Sequence, residues 1–198
     1  MAISATQIKK LRDSTGAGMM NCKAALVEAE GDIEKAVDIL RKKGAAALGK
    51  KSGRTANEGV IVSYIHSGNR LGVLLEVNCE TDFVARNEDF KNFAHNIAMH
   101  IAASNPLWVS REEVPSEVLE KERDIYKEQA LNEGKPDKII DRIVEGKVEK
   151  FYEQTCLMEQ RFVKNPDLTV QDYLAELVGK IGENVVVKRF TRYFLGEE

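Results

Sequence analysis

Residues 59–80, GVIVSYIHSGNRLGVLLEVNCE, decide the fold because apolar side chains recur at alternate positions on both sides of a polar break. This period of two is typical of β-strands that turn one face toward a core. The break, His66–Arg70, is rich in residues that favour turns, so the stretch predicts a β-hairpin. The positions that share a face are Val60, Val62 and Tyr64 in the first strand and Val73, Leu75, Val77 and Cys79 in the second.

The segments around this hairpin predict a sheet covered by helices. Residues 87–103 carry apolar side chains at helical spacing, and a second such helix begins near Thr169 and stops at Gly182. The chain closes with NVVVKRFTRYFL, residues 184–195, which predicts a third strand. Because this strand returns from far along the sequence, we expect it to pair with the hairpin in a three-stranded antiparallel sheet. The predicted fold class is therefore α+β.

A helical hairpin is predicted within the same core. Residues 116–134 have a heavily charged helical pattern, and a second long helix opens at Pro136 and Asp137. The turn between them, NEGKPD, is short, so the two helices should pack antiparallel. We place this hairpin at residues 116–163, inside a core and dimerisation domain of residues 57–198.

The N-terminal part of the chain predicts a separate bundle of three short helices. STGAGMMN, residues 14–21, breaks the chain between the first helix and the second, because its glycines permit a tight turn. Asp32 caps the third helix, which we expect to end at Gly44. This bundle is assigned to a small domain of residues 1–45.

A basic segment separates the two predicted domains. Residues 41–54, RKKGAAALGKKSGR, carry six positive charges and no acidic residue, and residues 46–56 are assigned to a linker. GAAALGKKS, residues 44–52, resembles a phosphate-binding loop, but Lys51 stands where the Mg²⁺-coordinating hydroxyl is required. The segment is either a nucleic-acid patch or a solvated linker. The linker is favoured, because no aromatic residues are interleaved to stack on bases.

Composition bounds the classes of function. The chain of 198 residues suits a small domain plus a medium one, and its net charge of −3 argues against wholesale binding to nucleic acid. No apolar run reaches about 18 residues and the start lacks a signal-peptide core, which predicts a cytoplasmic protein without membrane contact. Cys22, Cys79 and Cys156 are widely spaced and odd in number, a pattern that favours reduced thiols. An inter-subunit disulfide through Cys156 stays open.

Motifs for catalysis or metal binding are missing from the sequence. His66, His95 and His100 have no metal-ligand spacing, and there is no nucleophile elbow or dinucleotide-binding glycine set. We therefore expect no catalytic residue, no metal, no cofactor and no enzyme activity.

The most informative local pattern is NCETDFVARNE, residues 78–88, which lies between a buried strand and a helix. Thr81 can cap a short turn there, and Asp82 would lie near its N-terminus, where negative charge is favoured. Phe83 has two interpretations that the residues alone leave open. It is either packed on the core beneath the loop or presented to a partner as an aromatic anchor.

Four long motifs, which span essentially the whole chain in order, resemble translation elongation factor Ts. They are LRDSTGAGMMNCKAAL (11–26), EVNCETDFVARN (76–87), VEGKVEKFYEQTCLMEQRFV (144–163) and KIGENVVVKRFTRYFL (180–195). Longer members of this family have two core α/β subdomains, whereas this sequence has room for one. Contacts made through the second subdomain are therefore in doubt, and two copies of this chain are expected to pair in its place.

The resemblance implies a guanine nucleotide exchange factor for elongation factor Tu. Such a factor binds the GDP form of this GTPase, dislodges Mg²⁺ and promotes GDP release so that GTP can bind. The motif that dislodges Mg²⁺ in the family corresponds here to Thr81, Asp82, Phe83 and Val84. The three-helix domain, which in the family is similar to ubiquitin-associated domains, docks on the partner's GTP-binding domain. Its matching surface is Arg12, Gly16, Ala17, Gly18, Met19, Met20 and Lys23, although one of the two methionines is expected in the helix core.

The implied partners are elongation factor Tu and a second copy of this chain, in a 2:2 complex without direct nucleic-acid contact. Two alternatives remain. An RNA- or ribosome-associated factor would act through the basic linker, and an adaptor for ubiquitin-like proteins would need only the N-terminal helices.

Overall fold

The computed structural model describes residues 3–197 and has an α+β fold, as predicted. Residues 1, 2 and 198, which the predicted domain ranges include, lie outside this described part. In chain order the helices are α1 (Ala5–Thr15), α2 (Met19–Glu28), α3 (Ile33–Lys51), α4 (Asp82–Ala85), α5 (Glu88–Ser104), α6 (Ser116–Asn132), α7 (Asp137–Thr155) and α8 (Val170–Ile181). The strands are β1 (Glu58–Ile65), β2 (Leu71–Cys79), β3 (Arg161–Phe162), β4 (Asn165–Thr169) and β5 (Val185–Phe194). Within residues 3–197, no helix has the length and apolar character needed to cross a membrane.

The main sheet is antiparallel with strand order β1-β2-β5, which confirms the predicted return of the last strand to the hairpin. Val62 pairs with Leu75, and Leu75 with Phe190, so these side chains share the inner face. Helix α5 covers this face with its apolar stripe, and α8 completes the core. The pairing of β2 with β5 shifts by one residue between Glu76 and Val77, at a bulge that leaves Lys188 of β5 without a partner in the register.

The first three helices form a bundle around a small core of their own. Helix α1 begins with a capping box at Ser4 and Gln7 and ends at Gly16, whose φ of 67° lies in the left-handed region that glycine adopts without strain. The buried residues of this core are Leu11, Cys22, Ala25, Leu26, Ala29 and Ala36.

Helix α3 does not end at Gly44, and the sequence-based prediction is wrong on this point. The helix continues to Lys51, so residues 46–51 of the predicted linker are helical, and its remaining residues, 52–56, lack regular structure. The physical reason is packing against α8. A Cβ on Gly44 would lie 2.9 Å from the carbonyl oxygen of Ala175, so glycine here permits a close crossing of two helices.

Since α3 packs on the bundle with its first half and on the core with its second, one continuous helix joins the two parts. The division of the chain into two domains stays a prediction.

The helical hairpin of α6 and α7 is present, but it ends earlier than predicted. Helices α6 and α7 are joined by the short turn of residues 133–136 and pack against each other, so they run antiparallel. Between them Arg123 donates to Glu145 and Lys147 donates to Gln129. Helix α7 stops at Thr155 rather than near residue 163.

The remainder of that predicted range folds back onto the core. Residues 157–159 form a 3₁₀ turn and β3 pairs with β4. His100 fixes this return, because its Nε2 bonds to Gln160 Oε1 at 2.9 Å and its Nδ1 accepts from the Val163 amide at 3.2 Å. In this arrangement one ring nitrogen donates and the other accepts, as in a neutral imidazole. Burial lowers the pKa of His100 and so favours this neutral form.

Candidate functional site

The turn that follows β2 presents Phe83 to solvent. Helix α4 is a single turn, and its N-cap Thr81 accepts a bond from the Val84 amide at 3.4 Å. The Phe83 side chain is 80% exposed, whereas Ala85 is buried against the core. Two residues of helix rotate by about 200°, so burying Ala85 places Phe83 on the opposite side. The interpretation of Phe83 as a core residue is therefore wrong, and the residue is available to a partner.

Asp82 lies beside Phe83 and is paired locally. Its Oδ2 accepts from the Arg86 guanidinium at 2.9 Å, and both side chains are exposed. Within residues 3–197, no group of three or more histidine, cysteine, aspartate and glutamate side chains could hold a metal ion. Asp82 therefore offers a charge and an acceptor at the tip of the turn, next to an aromatic ring.

The turn is held by a residue that the sequence analysis missed. The Thr81 amide donates to Glu183 Oε2 at 3.1 Å, and the Thr81 hydroxyl donates to Glu183 Oε1 at 2.7 Å. Glu183 follows α8 and is 102 positions away in sequence, so no local spacing could have indicated the contact. The motif that contains it, residues 180–195, contributed to the resemblance but was given no role.

Two neighbours of this turn are fixed in the same way. Glu80 Oε1 accepts from the Asn184 amide at 2.6 Å, and this bond, with the Arg54 charge, keeps the pKa of Glu80 below its ordinary value. Burial raises the pKa of the Cys79 thiol to about 11, so this group stays protonated at neutral pH. Its S–H can donate to the Thr81 carbonyl at 3.2 Å.

The predicted surface on the N-terminal bundle is exposed. Met19 is 59% exposed and Met20 is 72% exposed, so the expectation that one of them lies in the helix core is wrong. Arg12 and Lys23 are also exposed, and Gly16, Ala17 and Gly18 form the turn that leads into α2. Val27, which the sequence analysis missed, is exposed two helical turns beyond Met20 and extends the apolar strip.

Lys180 on α8 links the two predicted surfaces. Its Nζ lies 2.7 Å from Asp89 Oδ1 in the first turn of α5, close behind α4. A Cβ on Gly16 would lie 3.5 Å from the same nitrogen. A cavity of about 260 Å³, lined by Ala17 and Gly44 among others, separates the bundle from α8 at this point. The 15–18 turn of the bundle therefore approaches the α5 end that carries α4.

A model of the family described as elongation factor TS matches residues 47–197. This range holds the sheet, α4 and α8, and it is more than half of the chain. The chain belongs to the elongation factor Ts family.

Similar proteins named elongation factor Ts extend the match to the N-terminal bundle. The protein from Caldanaerobacter subterraneus subsp. tengcongensis is 62% identical over 195 residues, which is 98% of each chain. The one from Carboxydothermus hydrogenoformans is 59% identical over 98% of this chain and 90% of its own length. The one from Geobacter sulfurreducens is 59% identical over this whole chain and 91% of its own. The likeness to elongation factor Ts therefore includes α1 and α2 as well as the core.

Proposed function

We propose that this chain is a guanine nucleotide exchange factor for elongation factor Tu, which binds the GDP form, dislodges Mg²⁺ and promotes GDP release so that GTP can bind. Membership of the elongation factor Ts family supports the class of function. The observation that carries the mechanism is Phe83, an aromatic ring that is 80% exposed at the tip of a braced turn. A large apolar side chain held in water is poised to gain free energy from a partner's pocket.

We call the exposed Phe83 side chain the wedge. It acts by binding one conformation of the partner more tightly than the other. Burying a phenylalanine side chain contributes about 1.5–3 kcal/mol, and this gain is realised only when helices of the partner separate to accept it. Mg²⁺ and phosphate-loop donors hold GDP through its phosphate charge. A partner conformation that accepts Phe83 and displaces the groups around Mg²⁺ therefore binds this chain more tightly and GDP more weakly. By linkage, each tenfold change in affinity corresponds to about 1.4 kcal/mol of coupling.

Thr81, Asp82 and Val84 have supporting roles in this proposal. Thr81 caps the turn, and the half-buried Val84 fixes it on the core. Asp82 places its charge and acceptor against the partner helices and does not ligate Mg²⁺ itself.

The N-terminal bundle supplies the docking surface in this scheme. Its exposed apolar strip contains Met19, Met20 and Val27, and the cations Arg12 and Lys23 lie on the exposed side of the same bundle. An apolar strip edged by charge is typical of a protein-binding surface. Docking through this strip would bring the partner's GTP-binding domain to the wedge.

We also propose that two copies pair, giving a 2:2 complex with elongation factor Tu. The outer face of the sheet is open and apolar, with Ile61 68% exposed and Tyr193 71% exposed. Ile65 and Leu74 lie on the same face, which would be covered by the same face of a second copy. Cys156 is fully buried, so this pairing is non-covalent.

The RNA-binding alternative is weakened by the partners of the basic residues. Lys43 pairs with Glu28 at 2.7 Å, Lys51 donates to the Gly182 carbonyl, and Arg54 lies 3.4 Å from Glu80. Two of the six positive charges of residues 41–54 are therefore paired with carboxylates and a third is held at a backbone carbonyl, which leaves fewer cations to contact phosphates.

The test is release of a fluorescent GDP from elongation factor Tu, with and without this chain. We expect large acceleration by the native chain and equal acceleration by a Lys42→Gln, Lys50→Gln variant, in which the bond from Lys51 to the Gly182 carbonyl is kept. No acceleration by the native chain, together with salt-sensitive RNA binding that the double variant loses, would instead support the RNA-associated alternative.

A further inference from the structure

Glu183 is joined to the wedge through one hydroxyl group. The Thr81 hydroxyl donates its proton to Glu183 at 2.7 Å and accepts from the Val84 amide at 3.4 Å, so it connects the carboxylate with the first turn of α4. The Thr81 amide provides a second bond, at 3.1 Å. Bonds to an ionised acceptor are shorter and stronger than neutral ones. The carboxylate therefore controls both the position and the orientation of the turn that carries Phe83.

Helix α4 needs such support, because four residues are too few to form a stable helix by themselves. The pair between Asp82 and Arg86 is local and exposed, and the Cys79 thiol, which bonds to the Thr81 carbonyl, is only two residues away, so neither contact ties the turn to a distant part of the chain. Apolar packing of Ala85 anchors the end of α4, whereas its beginning depends on the bonds to Glu183.

Glu183 is itself held from both sides. Gly182 makes a left-handed turn with φ of 85°, and its carbonyl accepts from Lys51 at the end of α3. Asn184 is buried, its amide donates to Glu80 at 2.6 Å, and its side chain donates to the Arg54 carbonyl at 2.8 Å. A carboxylate between two anchored neighbours is preorganised, so it can transmit a fixed position to the turn.

We propose that Glu183 is a positioning residue for nucleotide exchange, which holds the Thr81–Ala85 turn so that Phe83 enters the partner in one orientation. This inference rests on the proposed exchange function and deepens it, because it assigns the orientation of Phe83 to a residue outside the motif of residues 81–84. Glu183 acts through Thr81 and does not need to touch the partner or the nucleotide.

Glu183→Gln tests the role, since glutamine keeps the volume but has one acceptor oxygen for two donors. GDP release is measured against increasing concentrations of the GDP form of elongation factor Tu, which separates kcat from KM. We expect kcat to fall at least about fivefold and KM to stay within about twofold, because docking through the bundle is retained.

A matched control separates positioning from general stability. Glu159 also accepts two bonds, both from Arg111, but it lies on the 3₁₀ turn after α7. Glu159→Gln should lower the melting temperature and leave kcat unchanged. Hydrogen exchange at the Thr81 and Val84 amides should accelerate in Glu183→Gln and not in Glu159→Gln.

The hydroxyl link gives a second readout. In a Thr81→Val background, the hydroxyl bond is already absent, so adding Glu183→Gln should reduce kcat much less than it does in the native chain. Full additivity of the two substitutions would overturn the proposal.

The possible failures are distinguishable. A native chain that accelerates release, together with a Glu183→Gln variant of unchanged kcat, would overturn the positioning role alone. Equal loss of kcat in both glutamine variants would likewise overturn it in favour of a stability effect. A native chain that does not accelerate release would remove the exchange function, and the positioning role with it.

Discussion

The turn at residues 81–85 and the turn at residues 15–18 both lead into exposed apolar side chains, but they are held in different ways. The first depends on Glu183, which is 102 positions away from Thr81. The second is held by neighbours within its own bundle. Thr15 Oγ1 donates to the Leu11 carbonyl at 2.7 Å, and the Cys22 thiol is 3.4 Å from the Ala17 carbonyl.

This difference separates two tasks. A surface built from local contacts keeps its shape wherever the bundle lies, which suits docking. A turn braced from the far end of the chain has its orientation set by the whole core, which suits the step that must act on the partner in one geometry. We therefore expect substitutions in the bundle to change KM and substitutions around the wedge to change kcat.

The largest effect is expected at the crossing of α3 and α8, which joins the N-terminal bundle to the core. Gly44→Ala places a Cβ 2.9 Å from the Ala175 carbonyl oxygen, so α3 and α8 must separate. Overpacking of this kind lowers the free energy of unfolding by about 1–3 kcal/mol, and separation should also reduce exchange. Chemical denaturation and GDP release would measure the two effects.

Gly49→Ala on the same helix is the matched control for Gly44→Ala. Among the described residues, no atom outside its own helix turn lies within 4 Å of a Cβ at Gly49. The substitution should therefore raise the free energy of unfolding by up to about 1 kcal/mol, through helix propensity. Equal effects at the two glycines would contradict the close crossing of α3 and α8.

Met20→Asp should affect only the docking side of the comparison. A carboxylate in the exposed strip must be desolvated when the partner binds, so KM should rise about tenfold, or about 1.4 kcal/mol. Because Met20 is exposed, the melting temperature should hardly change. Leu131→Asp makes the same kind of change on exposed α6 and should leave KM unaltered. A fall in kcat with constant KM in Met20→Asp would place this residue with the wedge.

Lys180→Gln should have a smaller effect that reaches both regions. The substitution removes the pair with Asp89, which is partly exposed and worth about 0.5 kcal/mol in stability. We expect exchange to slow about two- to threefold at limiting partner concentration, because the bundle and the α5 end are less firmly linked. Lys180→Arg should restore much of the rate, and a rate that is equal in all three proteins would remove Lys180 from the account.

The smallest expected effect is on the pH dependence of stability, through Glu80, which directly precedes the turn of residues 81–85. The pKa of Glu80 is lowered in the folded state, so its stabilising contribution is present above its unfolded value of 4.5 and is lost as pH falls through the folded value. Between about pH 6 and pH 3, the native chain should therefore lose more stability than Glu80→Gln. Parallel melting curves across this range would contradict the bond from the Asn184 amide.

Local sequence patterns predicted most of the fold. The alternation in residues 59–80 predicted the hairpin, and helical spacing predicted α5 and α8 with ends that differ by one or two residues. The failure at Gly44 has a physical reason. Glycine both ends helices and permits close helix crossings, and a sequence without its packing partners does not distinguish the two.

The candidate site was less accessible to sequence reasoning. The local sequence did not decide whether Phe83 is buried or exposed, because this depends on which face of α4 packs against the core. Glu183 was missed since nothing local relates it to Thr81, and Val27 because exposure in α2 follows from bundle packing. Long-range contacts, rather than propensity, decide all three.

The central claim is that Phe83 drives exchange by displacing the groups that hold Mg²⁺. Its most direct test is GDP release from elongation factor Tu with the native chain or Phe83→Ala, with Mg²⁺ present and after chelation. We expect the native chain to accelerate release strongly with Mg²⁺ and much less without it, and Phe83→Ala to lose most of the Mg²⁺-dependent acceleration while remaining folded. Acceleration that is equal with and without Mg²⁺, or undiminished in Phe83→Ala, would contradict the wedge mechanism.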